Sequence, residues 1–407
     1  MKEPRIRFNK KMLVVSSFAP PAPGASPHFL YNLFSQFSED SYAIFTDSKN
    51  MNPEFTHPKL PCQYFLFDEK TNAIRWFKKD SPWKVVRVAK KMASFFSALR
   101  KGRKIIRREK IDLLMGTADN GRALLLAFLL SRISGTPYTL YFLDLYRWNN
   151  FGGLQDAAAA IFEPMLFSGA KKIFVMGGGH ERLYRKKYGT RYCYEIITNC
   201  PIVSETAPTK KPRPTVPKSY FEILYTGNIY WPQERSIRNV IKAVSSMDDL
   251  DVRVSIYAPR PLEALQAEFA HNPKVSFRSA PQKDMPEIQA NADILFLPLS
   301  WNTPRTEVVE MAIPGKTAEY LSSGKPILVH APPRAYLSIY AHENNFAHVI
   351  DEEDIGLLQE GIRKLLTDKE RVRQIVENAR KTLDRDFDIY KNARSMKDAL
   401  DKIDFQR

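Results

Sequence analysis

The chain has 407 residues, a formal net charge of +16, 44% hydrophobic and 12% aromatic residues. This composition excludes a disordered or low-complexity chain, and the length exceeds one ordinary core, so two domains of roughly 200 residues each are expected. No apolar run approaches the roughly 18–20 residues of a membrane span, residues 1–5 lead into no signal-like segment, and Cys62, Cys193 and Cys200 share neither metal-ligand nor redox spacing, so a cytoplasmic chain without a metal site is expected.

In chain order, residues 12–16 form a short apolar strand pattern, followed by the proline-rich loop 18–26 and a helical pattern over 28–37. Strand, loop and helix in that order open a doubly wound domain. Residues 42–45, 111–115, 138–141, 173–176 and 194–197 read as further strands, with helical patterns at 121–134 and 157–167 between them. The alternation predicts a parallel sheet covered on both faces. Residues 84–110 stand apart: eleven basic residues against Glu109 alone, interleaved with apolar residues at helical spacing. A basic amphipathic helix suits an anionic membrane surface, or else packs its stripe inward and leaves its charges solvated; nucleic acid is not expected, because no nucleic-acid motif accompanies the charge.

Residues 206–217 carry four prolines without apolar periodicity and read as an interdomain linker. The expected layout is an N-terminal domain over 1–205, a linker over 206–218, a second domain over 219–385, and a closing helix over 386–407 that packs back on the first domain. Strands are expected at 221–225, 252–257, 275–277 and 294–298, and helices at 355–366, 369–383 and 389–403. The segment 314–326, PGKTAEYLSSGKP, precedes the apolar run 327–329 and reads as loop, helix, cap and strand. Its spacing puts Lys316 and Glu319 on one face at a helix start. Backbone N–H groups and a cation there suit a phosphate, and the carboxylate beside them suits a sugar diol.

These segments carry a resemblance. Residues 221–230 (FEILYTGNIY), 292–299 (ADILFLPL) and 315–326 are similar, in order and spacing, to the nucleotide-sugar domain of GT-B glycosyltransferases. They most resemble the large retaining family, fourth in the usual classification, whose members build bacterial surface polysaccharides. The resemblance covers residues 221–330 by motif and the first domain by topology alone. It implies an α/β GT-B fold, two Rossmann-like domains facing a central cleft.

It also implies a nucleoside-diphosphate sugar as donor, no cofactor or metal, and a glycan or lipid-linked acceptor; an acceptor on an anionic lipid would sit where the 84–110 helix, read as membrane-binding, docks from the cytoplasmic side. Glu319 would hold the ribose hydroxyls. Lys316 and Arg235 would hold the diphosphate and stabilise the leaving nucleotide, with Gly227, Asn228, Gly315 and Thr317 around them and Gly24 admitting the donor phosphates from the other domain. Where the family has a first glutamate, eight positions before Glu319, this chain has Met311. Glu307 and Glu310 are nearby, and the backbone N–H groups of Ala312, Ile313 and Gly315 could hold the sugar instead.

On the acceptor side, Asp144 follows a strand and could serve as base or orient the acceptor hydroxyl. His28, Asp119, Asn120 and His180 are further candidates at the same edge. The run Gly177-Gly178-Gly179 lacks phosphate-loop spacing and reads as a turn into a helix. Two alternatives compete: a GT-B sugar-nucleotide epimerase, which would need paired acid/base groups, and a non-catalytic sugar-nucleotide or polyanion binder on the same scaffold.

Overall fold

The computed structural model describes residues 5–55, 57–67, 84–118, 121–148, 153–200, 218–259 and 262–403. The expected linker 206–217 and the candidates Asp119 and Asn120 lie outside them. Two compact units emerge: one through Met176, with Tyr184–Thr198 and Ile389–Arg407; the other Gly177–Leu183 with Asn199–Asp388.

The first unit is built on seven parallel strands, β1 (Met12–Ser16), β2 (Tyr42–Thr46), β3 (Gln63–Leu66), β4 (Leu113–Thr117), β5 (Tyr138–Phe142), β6 (Ile173–Val175) and β7 (Tyr194–Ile196), in the order β3-β2-β1-β4-β5-β6-β7. β1, β2, β4 and β5 are buried along their whole length, as continuous apolar strands must be when helices cover both sheet faces. The helices are α1 (Ala25–Phe34), α2 (Lys84–Arg108), α3 (Arg122–Ser134), α4 (Gly153–Gly169) and α5 (Gly178–Tyr188), the last shared with the second unit. α1 starts and ends three residues before the expected 28–37, because Gly24, at φ 122°, turns the chain into the helix at once. β4 begins at Leu113 and not at residue 111, since Asp112 leaves the ladder: its N–H bonds the Lys11 carbonyl at 2.9 Å and its carboxylate accepts from the Lys11 N–H at 2.8 Å.

The second unit holds β8 (Phe221–Thr226), β9 (Val252–Tyr257), β10 (Val275–Arg278), β11 (Ile294–Pro298), β12 (Ile327–His330) and β13 (His348–Ile350), all parallel, in the order β10-β9-β8-β11-β12-β13. Its helices are α6 (Trp231–Ser245), α7 (Glu263–Glu268), α8 (Met285–Ala290), α9 (Thr306–Met311), α10 (Thr317–Ser322), α11 (Tyr336–Asn344), α12 (Ile355–Thr367) and α13 (Lys369–Asp386). Asp354 and Asp368 cap α12 and α13 by accepting from the N–H groups of Leu357 (2.8 Å) and Arg371 (2.9 Å). The last helix, α14 (Ile389–Asp401), belongs to the first unit: Asp401 accepts from the Asn9 amide at 3.0 Å, and Lys10 reaches the Ile403 carbonyl at 2.8 Å.

In each sheet the chain winds both ways from one strand, from β1 in the first unit and β8 in the second. Crevices at the carboxyl ends of such switch points, here β1/β4 and β8/β11, are where open α/β sheets bind ligands.

Sequence patterning conceals one buried charge. Glu163 lies in an apolar stretch of α4 and is fully buried in the first unit. Tyr188 and Tyr184 donate to its carboxylate at 2.5 and 3.1 Å and the Arg147 N–H at 3.4 Å, while burial pushes its pKa up to about 7. Glu163→Ala would orphan all three donors, so a loss of about 2–4 kcal/mol in chemical denaturation is expected. The wild type should lose stability as pH rises from the ordinary glutamate range toward 7, because there the folded state holds the proton more tightly; Glu163→Gln should flatten that slope.

Candidate functional site

The second unit's switch point is built from the residues that end β8. Thr226 closes the strand, and its N–H donates to the Tyr320 hydroxyl at 2.9 Å, tying β8 to α10. The buried Gln289 of α8 bridges the same elements, donating to Glu319 Oε2 at 3.1 Å and to Thr226 Oγ1 at 3.4 Å. Glu319 is therefore held in one orientation before any ligand arrives. Past the strand, Gly227 sits at φ 118°, and a Cβ there would run into the Lys316 amine. That amine rests 3.9 Å from the centroid of the Tyr225 ring. Tyr225 is fixed in turn, its hydroxyl donating to the Asn228 carbonyl at 2.7 Å.

Lys316 is half-buried as a residue, with its amine at the deeper end. Burial lowers its pKa to about 7, against the opposing pull of Glu319. The ring face of Tyr225 compensates part of that cost through cation–π attraction. Lys316 forms the N-cap of α10 and does not belong to the helix body, and α10 spans only six residues. A dipole from so short a helix is small, so Lys316 is the principal positive charge here. Beside it Gly315 is exposed, and the Thr317 hydroxyl is buried without a hydrogen-bond partner among the described residues, while the Thr317 N–H closes a turn onto the Pro314 carbonyl at 2.9 Å. A buried hydroxyl normally finds a partner.

Gly227, Asn228, Lys316, Thr317 and Glu319 thus converge on one locus. Arg235 is engaged elsewhere: its guanidinium pairs with Glu353, which also accepts from Asn239 at 3.2 Å. At the position of the missing glutamate, Met311 ends α9; Glu310 lies 3.9 Å from Arg334. The three-glycine turn is a packing device, since Cβ atoms on Gly178 and Gly179 would overlap Tyr336 and the Met311 carbonyl. His180 behind it is buried, and desolvation lowers its pKa to about 3, so it stays neutral.

In the first unit, Gly24 and His28 lie exposed at the start of α1, with His28 Nε2 3.3 Å from the Asn32 amide. Asp144 follows β5. It is exposed as a residue, yet the protein packed around its carboxyl raises its pKa, partly offset by the Leu145 N–H donating at 2.8 Å. Sequence reasoning missed Tyr225, Thr226, Gln289 and Tyr320. The strand-end position of Thr226 was a usable signal; Gln289, on a six-residue helix far along the chain, gave none.

The fold is GT-B, with two Rossmann-like domains. The sucrose-phosphate synthase of Thermosynechococcus elongatus superposes with a TM-score of 0.68 at 13% identity, covering 96% of this chain and 98% of that one. Anabaena HepE, crystallised with UDP and glucose, gives 0.67 at 13% identity over 96% and 99%. WaaG, described as a glycosyltransferase involved in lipopolysaccharide biosynthesis, gives 0.60 at 16% identity over 96% and 100%. Residues 220–368 match the family described as Glycosyl transferases group 1. Among curated proteins none matches the chain.

Proposed function

We propose that this chain is a glycosyltransferase that moves a hexose from a nucleoside-diphosphate sugar to a glycan or lipid-linked acceptor in cell-surface polysaccharide synthesis, with retention and without a metal. The observation that carries the reading is the Lys316 amine held between Gly227 and the Tyr225 ring, beside a Glu319 oriented by Gln289. The family match over residues 220–368 and the UDP and glucose bound by HepE support it.

In this reading Glu319 accepts from both ribose hydroxyls, and the diphosphate lies against Lys316 and the buried hydroxyl of Thr317. As the bond from the anomeric carbon to the phosphate oxygen breaks, the electron pair leaves with the diphosphate, and Lys316 stabilises the charge developing there. The acceptor hydroxyl forms the new bond to the anomeric carbon and gives its proton to the departing phosphate. Glu319→Ala should weaken nucleoside diphosphate binding at least tenfold by calorimetry. Unchanged affinity for UDP, GDP, ADP and CDP alike would refute the site.

The membrane part of the proposal rests on α2. Met92 and Phe96 are exposed at 54% and 53%, four residues apart. Arg100, Arg103 and Arg107 continue the same helical face, all exposed. Exposed apolar groups followed by cations suit insertion among anionic headgroups, and among the described residues no helix is long and apolar enough to cross a membrane. Reversing Arg100, Lys101, Arg103 and Lys104 to glutamate should abolish cosedimentation with phosphatidylglycerol vesicles; equal sedimentation of variant and wild type would contradict membrane docking.

A further inference from the structure

A groove of about 470 Å³ opens in the second unit between the outer face of α6 and the loop that follows β11. Trp231, Arg235 and Asn239 line one wall, Trp301 and Thr303 the other, and Glu353 closes it. Its size falls within the range of small-ligand sites.

Trp301 is a prepared surface. Its ring lies 4.6 Å from that of His330, and His330 is fully buried, with Nδ1 2.7 Å from the Ser236 hydroxyl. Burial drops the His330 pKa to about 4, so the imidazole against Trp301 is neutral. The loop carrying Trp301 is equally defined: Asn302 adopts φ 51°, a left-handed conformation that non-glycine residues take at a cost.

At the indole end of the groove the charges are matched: Arg235 is paired with Glu353, and Arg238 with both Glu234 and Glu268. Lys242, eleven residues along α6 from Trp231, is exposed and is the lining cation without an ion pair among the described residues. An anionic ligand on the indoles would meet these carboxylates and would have to break an existing pair. A neutral polyol meets no such penalty: its hydroxyls can accept from Arg235 and Asn239 and donate to Glu353 and Thr303, whose planar, mutually hydrogen-bonded groups are fixed in place. The C–H face of a pyranose ring is apolar enough to lie on an indole.

We propose that this groove, whose lining includes none of Lys316, Thr317 and Glu319, binds a neutral saccharide as a holding site for the acceptor glycan. The identity of that saccharide as an acceptor rests on the sugar-transfer reading; its binding does not. A glycan array of neutral and acidic oligosaccharides, probed with the full chain in the absence of nucleotide, tests the groove. The wild type is expected to be retained on neutral glycans. Trp301→Ala and Asn239→Ala should each lower the signal at least tenfold, Trp301→Phe should restore part of it, and Glu319→Ala should leave it unchanged. No retention of wild type on any neutral glycan, retention on acidic glycans only, or undiminished signals from Trp301→Ala and Asn239→Ala would overturn the proposal. Titration of the same proteins with UDP keeps the two readings apart: a blank array with intact UDP binding removes the groove and leaves the donor site, and the converse removes the donor site alone.

Discussion

Lys316→Met should lower nucleoside diphosphate affinity roughly 10–100-fold, the equivalent of about 1.5–3 kcal/mol for a charge-assisted contact, and at the same time make the protein more stable. The two effects share a cause. The Lys316 amine is desolvated enough that its pKa falls to about 7 from an ordinary value of 10.5. Between those pH values the unfolded chain binds the proton that the folded chain gives up, so wild-type stability rises with pH across that window, and the penalty is fully present below about pH 7. A methionine of similar length should remove a cost of about 1–3 kcal/mol at pH 7 and flatten that part of the profile. Above pH 7 the amine must regain a proton before it meets a diphosphate. Wild-type affinity should therefore decline from pH 7 to 9, with up to one proton taken up on binding, detectable by calorimetry in buffers of different ionisation enthalpy. A pH-independent affinity, or a Lys316→Met variant less stable than wild type at pH 7, would contradict this account.

Gly227→Ala is expected to be nearly as damaging to binding. The residue adopts a positive φ that alanine takes only under strain, and its Cβ would enter the space held by the Lys316 amine. Strain alone costs about 1–2 kcal/mol; displacement of the amine from the Tyr225 face should add a loss of nucleotide affinity of tenfold or more. Gly324 provides the control, since it also has a positive φ (72°) but open space around its Cβ position. Gly324→Ala should show the stability loss in thermal melting without the binding loss. Equal nucleotide affinity in the two variants would mean that Gly227 acts only through its backbone.

The sheet architecture was legible in the chain because buried parallel strands are continuous apolar runs: residues 12–16, 138–142 and 294–298 announce themselves. β3 and β13 were not, because edge strands of four and three residues with half-buried faces carry too little pattern. At the site, Lys316 and Glu319 were readable from a local motif. Their setting was not. The Tyr225 ring under the amine, and the Gln289 bridge to Thr226, depend on elements between 63 and 91 residues away in sequence from the partners they meet, and no spacing rule spans such a distance. The same limit explains Arg235. Sequence placed it after the Gly227 turn, but the guanidinium's partner, Glu353, comes 118 residues later. Glu163 carried no signal in the sequence either: the Tyr184 and Tyr188 hydroxyls that enclose its carboxyl come 21 and 25 residues later.

The central claim is tested most directly by a crystal structure of the chain with a nucleoside-diphosphate sugar that supports binding in solution. The account predicts the diphosphate within hydrogen-bond distance of Lys316 Nζ and the Thr317 hydroxyl, with both ribose hydroxyls on the Glu319 carboxylate. A nucleotide seated elsewhere in the second unit, with the Lys316 amine still lodged against Tyr225 and Glu319 without a ribose contact, would contradict it.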